Sequence, residues 1–465
     1  MRLSQCMIVK NEESNIERAL RWGKGVVWEQ IVVDTGSTDR TVELAEKMGA
    51  KVFYFEWQDD FSAAKNFAIS KASGDWIAFL DADEYFPLEE TKKLIPLLER
   101  FDKKEYYAVM TSWLQVREDE SIFAGGSQAR LFKKTEGLAY RYRIHEELSY
   151  RGEGILPYTA DATDLLAIYH TGYAGSDAYN KEKGERNIRL LLMELKEHPD
   201  NYHLMGYLGD SYLTGKESQK AKEWYYKAVN LMPEKLSRHD FISAMTFWKL
   251  MIILVEENDE KALLEIYEKA ARLLPEESDF DFIVGRFYAQ KSEFKKAAFH
   301  LKKSLSLLET HGNANCGMVV TGDLPGAWEL LALCCYQTGD LGGCVKYCTA
   351  LLKANPYIPS ALVVLLRAFQ REDEGGRENA EQVGAFLERL YKMEQLKDRL
   401  LLMRAAREAG YSRLEELIRQ KCSDIELQCF DKAMEQHGNK LEPKKSAFGR
   451  KADCPKGSPA VAALL

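Results

Sequence analysis

The chain predicts an α/β domain built on a parallel sheet, followed by an all-α domain of stacked helices. Three observations predict this. Strand-like and helix-like segments alternate as β-α-β-α-β-α-β over roughly the first 80 residues, the pattern of a parallel sheet flanked by helices. The strands of that stretch end in acids and small polar residues. Beyond Ser176 the strand signals stop, and small residues, aromatics and prolines recur at helical spacing.

Leu3 to Val9 reads as the first strand, and Lys10 to Asn15 as a polar loop entering a helix with Ile16, Ala19 and Leu20 on its apolar stripe. Trp28 to Val33 is the second strand. It ends in Asp34-Thr35-Gly36-Ser37-Thr38-Asp39 and leads into a helix from Val42 to Met48, stopped by Gly49. Lys51 to Phe55 is the third strand, and a further helix opens at Asp59 to Ala68. Trp76 to Leu80 is an apolar run with Gly74 before it and Asp81-Ala82-Asp83-Glu84 after it, which reads as a buried parallel strand. Open α/β sheets bind ligands at the carboxyl ends of their strands, so loops 10–13, 34–39 and 81–84 are expected on one rim. If the chain is still extended at Asp81 and Asp83, both carboxylates point to one side. There they can hold a hard divalent cation that bridges to substrate phosphates. The competing reading is an acidic turn that closes the strand. No G-x-G-x-x-G follows the first strand and no G-x4-G-K-S/T occurs in this region, which argues against a dinucleotide enzyme and a P-loop enzyme.

Composition bounds the partners. The 465 residues carry a net charge of −8, which argues against a nucleic-acid binder. No apolar run approaches the roughly 20 residues of a membrane span. The opening residues lack the pattern of a signal peptide, so a cytoplasmic location is expected. The odd count of nine cysteines fits free thiols. Cys334, Cys335, Cys344 and Cys348 match no paired zinc spacing and are expected as small buried residues between helices.

Four blocks carry a resemblance: Met7-Ile8-Val9-Lys10-Asn11-Glu12-Glu13, Val32 to Thr41, Ala64-Lys65-Asn66 and Asp81-Ala82-Asp83-Glu84. In order and spacing they resemble family 2 glycosyltransferases with the GT-A fold. The resemblance implies a UDP-sugar donor and inversion at the anomeric carbon. By position it implies Val9 and Glu12 lining the nucleobase and ribose pocket, and Asp34 on the uracil or ribose. It places Lys65 near the base or diphosphate, and Asp81 with Asp83 at the ribose and a metal-bound diphosphate, Asp83 as the more direct ligand of Mn2+ or Mg2+. A cation there offsets the charge that develops on the leaving diphosphate.

Arg130-Leu131-Phe132 and Ile144-His145-Glu146 resemble blocks of glycosyltransferases that carry helical repeats behind the catalytic domain. The architecture is similar to that of peptide S-glycosyltransferases of the sublancin type. Inverting transfer needs a base, and His145 and Glu146 are the candidates, not separated at this level. His170, in Ile168-Tyr169-His170, is a candidate extra metal ligand or a core histidine.

The second half resembles degenerate tetratricopeptide (TPR) repeats. Ala221, Tyr225, Ala228 and Pro233 are answered by Ala262, Tyr267, Ala270 and Pro275, but 42 residues separate the two prolines where the repeat unit is about 34. Such stacks bind peptides, dimerise, or brace a neighbouring domain. The expected organisation is a catalytic domain over 1–175, helical repeats over 176–437, and a disordered tail over 438–465. The expected function is transfer of a sugar to a peptide, protein or glycan acceptor. The alternatives are a non-catalytic scaffold and a nucleotidyltransferase.

Overall fold

The structure is a computed structural model, and it describes residues 1–104, 106–117, 119–171, 177–312, 318–372 and 379–437. The tail expected beyond 437 lies outside the described residues. The chain divides into two compact units, Met1–Trp224 and a second from Tyr225 onward.

In the first unit the elements run β1 (Leu3–Val9), α1 (Ile16–Arg21), β2 (Glu29–Asp34), α2 (Thr41–Lys47), β3 (Lys51–Tyr54), α3 (Phe61–Lys71), β4 (Trp76–Phe79), β5 (Glu84–Tyr85), α4 (Leu88–Asp102), β6 (Ala108–Val116) and β7 (Ile122–Lys133). Then come β8 (Leu138–Arg141), β9 (Glu147–Tyr150), β10 (Glu153–Gly154), β11 (Thr159–Asp161), β12 (Ala167–His170), α5 (Asp177–Glu197), α6 (Tyr202–Thr214) and α7 (Ser218–Leu231), the last reaching into the second unit. The main sheet has the order β3-β2-β1-β4-β7-β6-β12-β5, with β11 beside β6. Its first four strands are parallel, as the alternating pattern requires. β7 then enters antiparallel between β4 and β6. A small sheet, β10-β9-β8, accompanies it.

β4 is buried along its whole length, because both faces of the sheet are covered. Trp76, Ala78 and Leu80 pack with Leu94 and Leu98 of α4 on one side. Ile77 and Phe79 pack with Ala68 of α3, Phe132 and Tyr140 on the other. α3 starts where Asp60 accepts from the Ala63 amide at 2.8 Å, which fixes the rotation that turns Lys65 inward.

The last strand ends at His170 and the described chain is helical from Asp177. The division at Trp224 leaves α5 and α6 in the same unit as the sheet. Several contacts join them to it: the Arg143 amide and side chain reach Glu194 and Glu197 of α5, Arg189 of α5 pairs with Asp59, and Tyr207 of α6 stacks on His145.

The second unit is all helix, with α8 (Phe241–Glu256), α9 (Glu260–Leu273), α10 (Ser278–Gln290), α11 (Phe294–His311), α12 (Met318–Thr321), α13 (Leu324–Thr338), α14 (Leu341–Ala354), α15 (Pro359–Glu372), α16 (Asn379–Leu387), α17 (Leu396–Ala409), α18 (Ser412–Arg419) and α19 (Asp424–His437). Neighbours pair as α8–α9, α10–α11, α13–α14 and α17–α18, and the pairs stack through α11–α13 and α14–α15. Small residues make the close approaches. A Cβ on Gly285 of α10 would meet Leu301 of α11 at 2.9 Å. Cys334, Cys335, Cys344 and Cys348 are buried free thiols in the seam of α13 and α14. No described helix is long and apolar enough to cross a membrane.

Candidate active site

The rim formed by loops 10–13, 34–41 and 81–84 comes together as the α/β pattern predicts. Asn11, at φ 57°, accepts from the Thr38 amide at 2.7 Å and donates its own amide to Ser37 Oγ at 2.9 Å. The Glu12 amide donates to Thr41 Oγ1 at 2.7 Å. The Asp34 carboxylate accepts from the Gly36 and Ser37 amides, so it shapes its own loop. Val9 is buried, and its carbonyl accepts from Thr35. Burial pushes the Glu12 carboxyl up, Asp83 and Asp81 adding to it against the hydrogen bond from Asn15.

Asp81 and Asp83 do not sit on an extended strand. The strand ends at Phe79, and the Glu84 amide donates back to the Asp81 carbonyl at 3.0 Å, closing a turn. The extended geometry expected from alternation is therefore lost at Ala82, and each acid has its own neighbours.

Asp81 faces cations. Its oxygens lie 3.5 Å from Lys65 Nζ and 2.9 Å from Arg130. Lys65 also meets Glu146 Oε1 at 2.5 Å, and Arg130 meets Glu84 at 2.6 Å. The Lys65 side chain is 2% exposed and its ammonium lies between the Phe79 and Tyr140 rings. Burial alone would lower the Lys65 pKa; Asp81 and Glu146 reverse this and raise it. Burial would raise Asp81; Lys65 and Arg130 hold its carboxyl well below the usual carboxylate range. Burial pushes the Tyr140 phenol up to about 12.

Asp83 faces an imidazole. The pairing of β5 with β12 sets His170 opposite Glu84, and His170 Nε2 lies 3.2 Å from Asp83 Oδ2. Trp113 of β6 lies against the His170 ring, with centroids 4.4 Å apart, and donates its indole N–H to Glu84 at 2.7 Å. Adjacent ligand atoms on an octahedral ion, each about 2.1 Å from it, are about 3 Å apart, so Asp83 and His170 fit one divalent cation. The charge balance fits as well. Lys65 and Arg130 face the carboxylates of Asp81, Glu84 and Glu146, and Asp83 adds a further carboxylate beside His170, so the acids outnumber the cations as a divalent-ion site requires.

His145 precedes Glu146 in the chain but makes its ring contact elsewhere. Its ring stacks on Tyr207 of α6 with centroids 3.8 Å apart and planes within 2°. Burial lowers its pKa, against the opposing pull of Glu146 and Asp210.

The sequence profile described as glycosyl transferase family 2 matches residues 4–152, the segment that contains β1 to β9 and the acids just described. Residues 4–152 thus match a glycosyl transferase family 2 domain. The chain is 30% identical over 275 residues to a TPR repeat-containing protein of Synechococcus elongatus, covering 58% of this chain and 65% of that one. It is 27% identical over 256 residues to the SPbeta prophage-derived glycosyltransferase SunS of Bacillus subtilis, covering 54% of this chain and 58% of SunS. The chain thus spans less than two thirds of the length of either relative. A solved structure of Staphylococcus aureus TarS in complex with UDP-GlcNAc aligns with 59% of this chain and 90% of its own at 15% identity, but its TM-score of 0.35 is too low to bear on the fold.

Within the family 2 domain, sequence reasoning gave no role to Arg130, Glu84 or Trp113. Glu84 is buried and collects three donors: Arg130, Trp113 and the Asp81 amide at 2.9 Å. A signal was present. Arg130 directly precedes the apolar Leu131-Phe132, and Glu84 directly follows the two-acid motif.

Proposed function

We propose that this chain is an inverting glycosyltransferase that moves a sugar from a UDP-sugar to an acceptor side chain or glycan. The observation that carries this reading is the acidic turn after β4, placed in a family 2 domain, with Asp83 and His170 able to share a divalent ion. When bound, Mn2+ or Mg2+ offsets the charge gathering on the leaving diphosphate. Glu12, Val9 and the loop shaped by Asp34 hold the nucleoside. Lys65 and Arg130 keep Asp81 ionised and fixed at the rim.

Glu146 serves as the base in this reading. Its carboxylate stands in the same chain of charges as Asp81. His145 is committed to the Tyr207 stack. The proton of the acceptor O–H or S–H moves to Glu146 while the acceptor atom bonds to the anomeric carbon. The bond from that carbon to the diphosphate oxygen breaks, and UDP leaves with the electron pair. One displacement inverts the centre. A thiol asks less of the base than an alcohol, since a few per cent of it is ionised at neutral pH. The helical second unit and the likeness to SunS and to a TPR repeat-containing protein support a peptide or protein acceptor held by the repeats. Calorimetric titration with UDP tests the donor half. Binding that needs Mn2+ or Mg2+, and that is lost in Asp83→Asn, supports it; no UDP binding with either ion overturns it.

A further inference from the structure

The segment Tyr142–Glu146 carries two residues in the left-handed region, Tyr142 at φ 70° and His145 at φ 51°. Neither is glycine, so surrounding contacts must hold this conformation. Three elements do so. From α3, the Phe61 amide donates to the Arg143 carbonyl at 2.8 Å and Ser62 Oγ donates to the Tyr142 carbonyl at 2.5 Å. From α5, the buried Glu194 accepts the Arg143 amide at 2.8 Å. From α6, Tyr207 lies flat on the His145 ring. The next residue is Glu146, held on Lys65.

We infer that Glu194 and Tyr207 are positioning residues for Glu146, so that α5 and α6 complete the active site rather than merely lead to the repeats. This rests on the reading of Glu146 as the base. Both residues lie beyond residue 152, where the family 2 match ends. Glu194, Glu197 and His198 do bring ligand atoms within 4.8 Å of one another, the spacing of a metal site. Arg143 already occupies that carboxylate pair, with its amide on Glu194 and its guanidinium on Glu197 at 2.6 Å. The role of Glu194 is therefore toward the loop. Glu194 also lies 3.9 Å from the Arg143 guanidinium, but the main chain of the loop is fixed by its acceptance of the amide, and a glutamine oxygen supplies that acceptor. Tyr207 gives the loop the flat face of its ring, which phenylalanine keeps and leucine does not.

The test uses four variants of the full chain: Glu194→Gln, Glu194→Met, Tyr207→Phe and Tyr207→Leu. Two readouts are independent of each other. Hydrogen–deuterium exchange over 142–148 should speed up at least tenfold in Glu194→Met and Tyr207→Leu, and stay near wild type in Glu194→Gln and Tyr207→Phe. UDP release from whichever UDP-sugar turns over fastest, with water as acceptor, should show kcat down at least tenfold in the first pair, with KM within twofold. Unchanged exchange in both disruptive variants overturns the inference whatever the activity. A cycle with Glu146→Gln separates it from the reading beneath it. If Glu194 acts through Glu146, Glu194→Met adds less than twofold in the Glu146→Gln background. A full tenfold further loss there refutes the positioning role and leaves the base intact. Glu146→Gln at the wild-type rate refutes the base itself.

Discussion

Lys65→Met removes the charge at the centre of the site and keeps the length and apolar stem of the side chain. The lysine is 2% exposed, pairs with Glu146 at 2.5 Å and with Asp81 at 3.5 Å, and packs between Phe79 and Tyr140. Removing one partner of a buried ion pair costs about 3–5 kcal/mol. Asp81 is 40% exposed and keeps Arg130, so most of the cost falls on Glu146, and the low end, about 3 kcal/mol, applies. For a unit of this size that lowers the first unfolding transition by about 6–12 °C. The effect belongs to neutral pH. A lysine with a raised folded pKa contributes fully below its unfolded pKa of about 10.4, and loses that contribution as pH rises through the folded value. Asp81, with its pKa depressed, contributes above an unfolded pKa of about 3.9 and loses that contribution as pH falls. The share of the difference that Asp81 carries should therefore shrink as pH falls below about 4. Calorimetry at pH 7 and pH 3.5, with Lys65→Met/Glu146→Gln alongside, is the assay. The double variant should recover part of the loss, because no unpaired carboxylate remains beside residue 65. A first transition within 2 °C (an order of about 1 kcal/mol or less) of wild type, with no recovery in the double variant, would show that the pair does not stabilise the site.

Three further outcomes follow from the same geometry. Arg130→Met strips a buried cation from Asp81 and Glu84 and should destabilise the first unit by about 3–5 kcal/mol, read as a lower midpoint in urea. Asp83→Asn removes one charge and little volume, so its melting point should stay near wild type while metal-dependent UDP release falls at least about 100-fold; release within twofold of wild type contradicts the ligand role. Glu12→Gln should raise the melting point of the metal-free protein at pH 7. A carboxyl whose folded pKa is raised favours the fold below its unfolded pKa and opposes it as pH rises through the folded value. The gain should vanish as pH is lowered toward 4, and a melting point that falls at pH 7 would contradict the crowding of acids around Glu12.

The parallel half of the sheet was legible because its central strands are short apolar runs that end in polar loops and alternate with helices, although the pairing of β1 with β4 joins strands that are not sequence neighbours. Leu3–Val9 and Trp76–Phe79 illustrate this. The rest depended on contacts that local pattern does not carry. Arg130 reaches Asp81 because β7 enters antiparallel beside β4, with Ala78 paired to Leu131. His170 reaches Asp83 through the pairing of β12 with β5, a two-residue strand too short to leave a pattern. The two acids of Asp81-Ala82-Asp83 were legible as a motif, but the turn that separates them is set by one main-chain bond from Glu84 to Asp81. The left-handed Tyr142 leaves no mark either, since tyrosine does not signal that conformation, and the enrichment of histidine there is too weak to place His145.

The most direct measurement is UDP release from a panel of UDP-sugars by the full chain, with Mn2+, with Mg2+ and with EDTA, beside Asp83→Asn. The account predicts release from one donor that requires the ion and is lost in the variant. Release that is unaffected by EDTA and by Asp83→Asn would contradict the metal-assisted site, and the absence of both release and metal-dependent UDP binding would contradict glycosyl transfer itself.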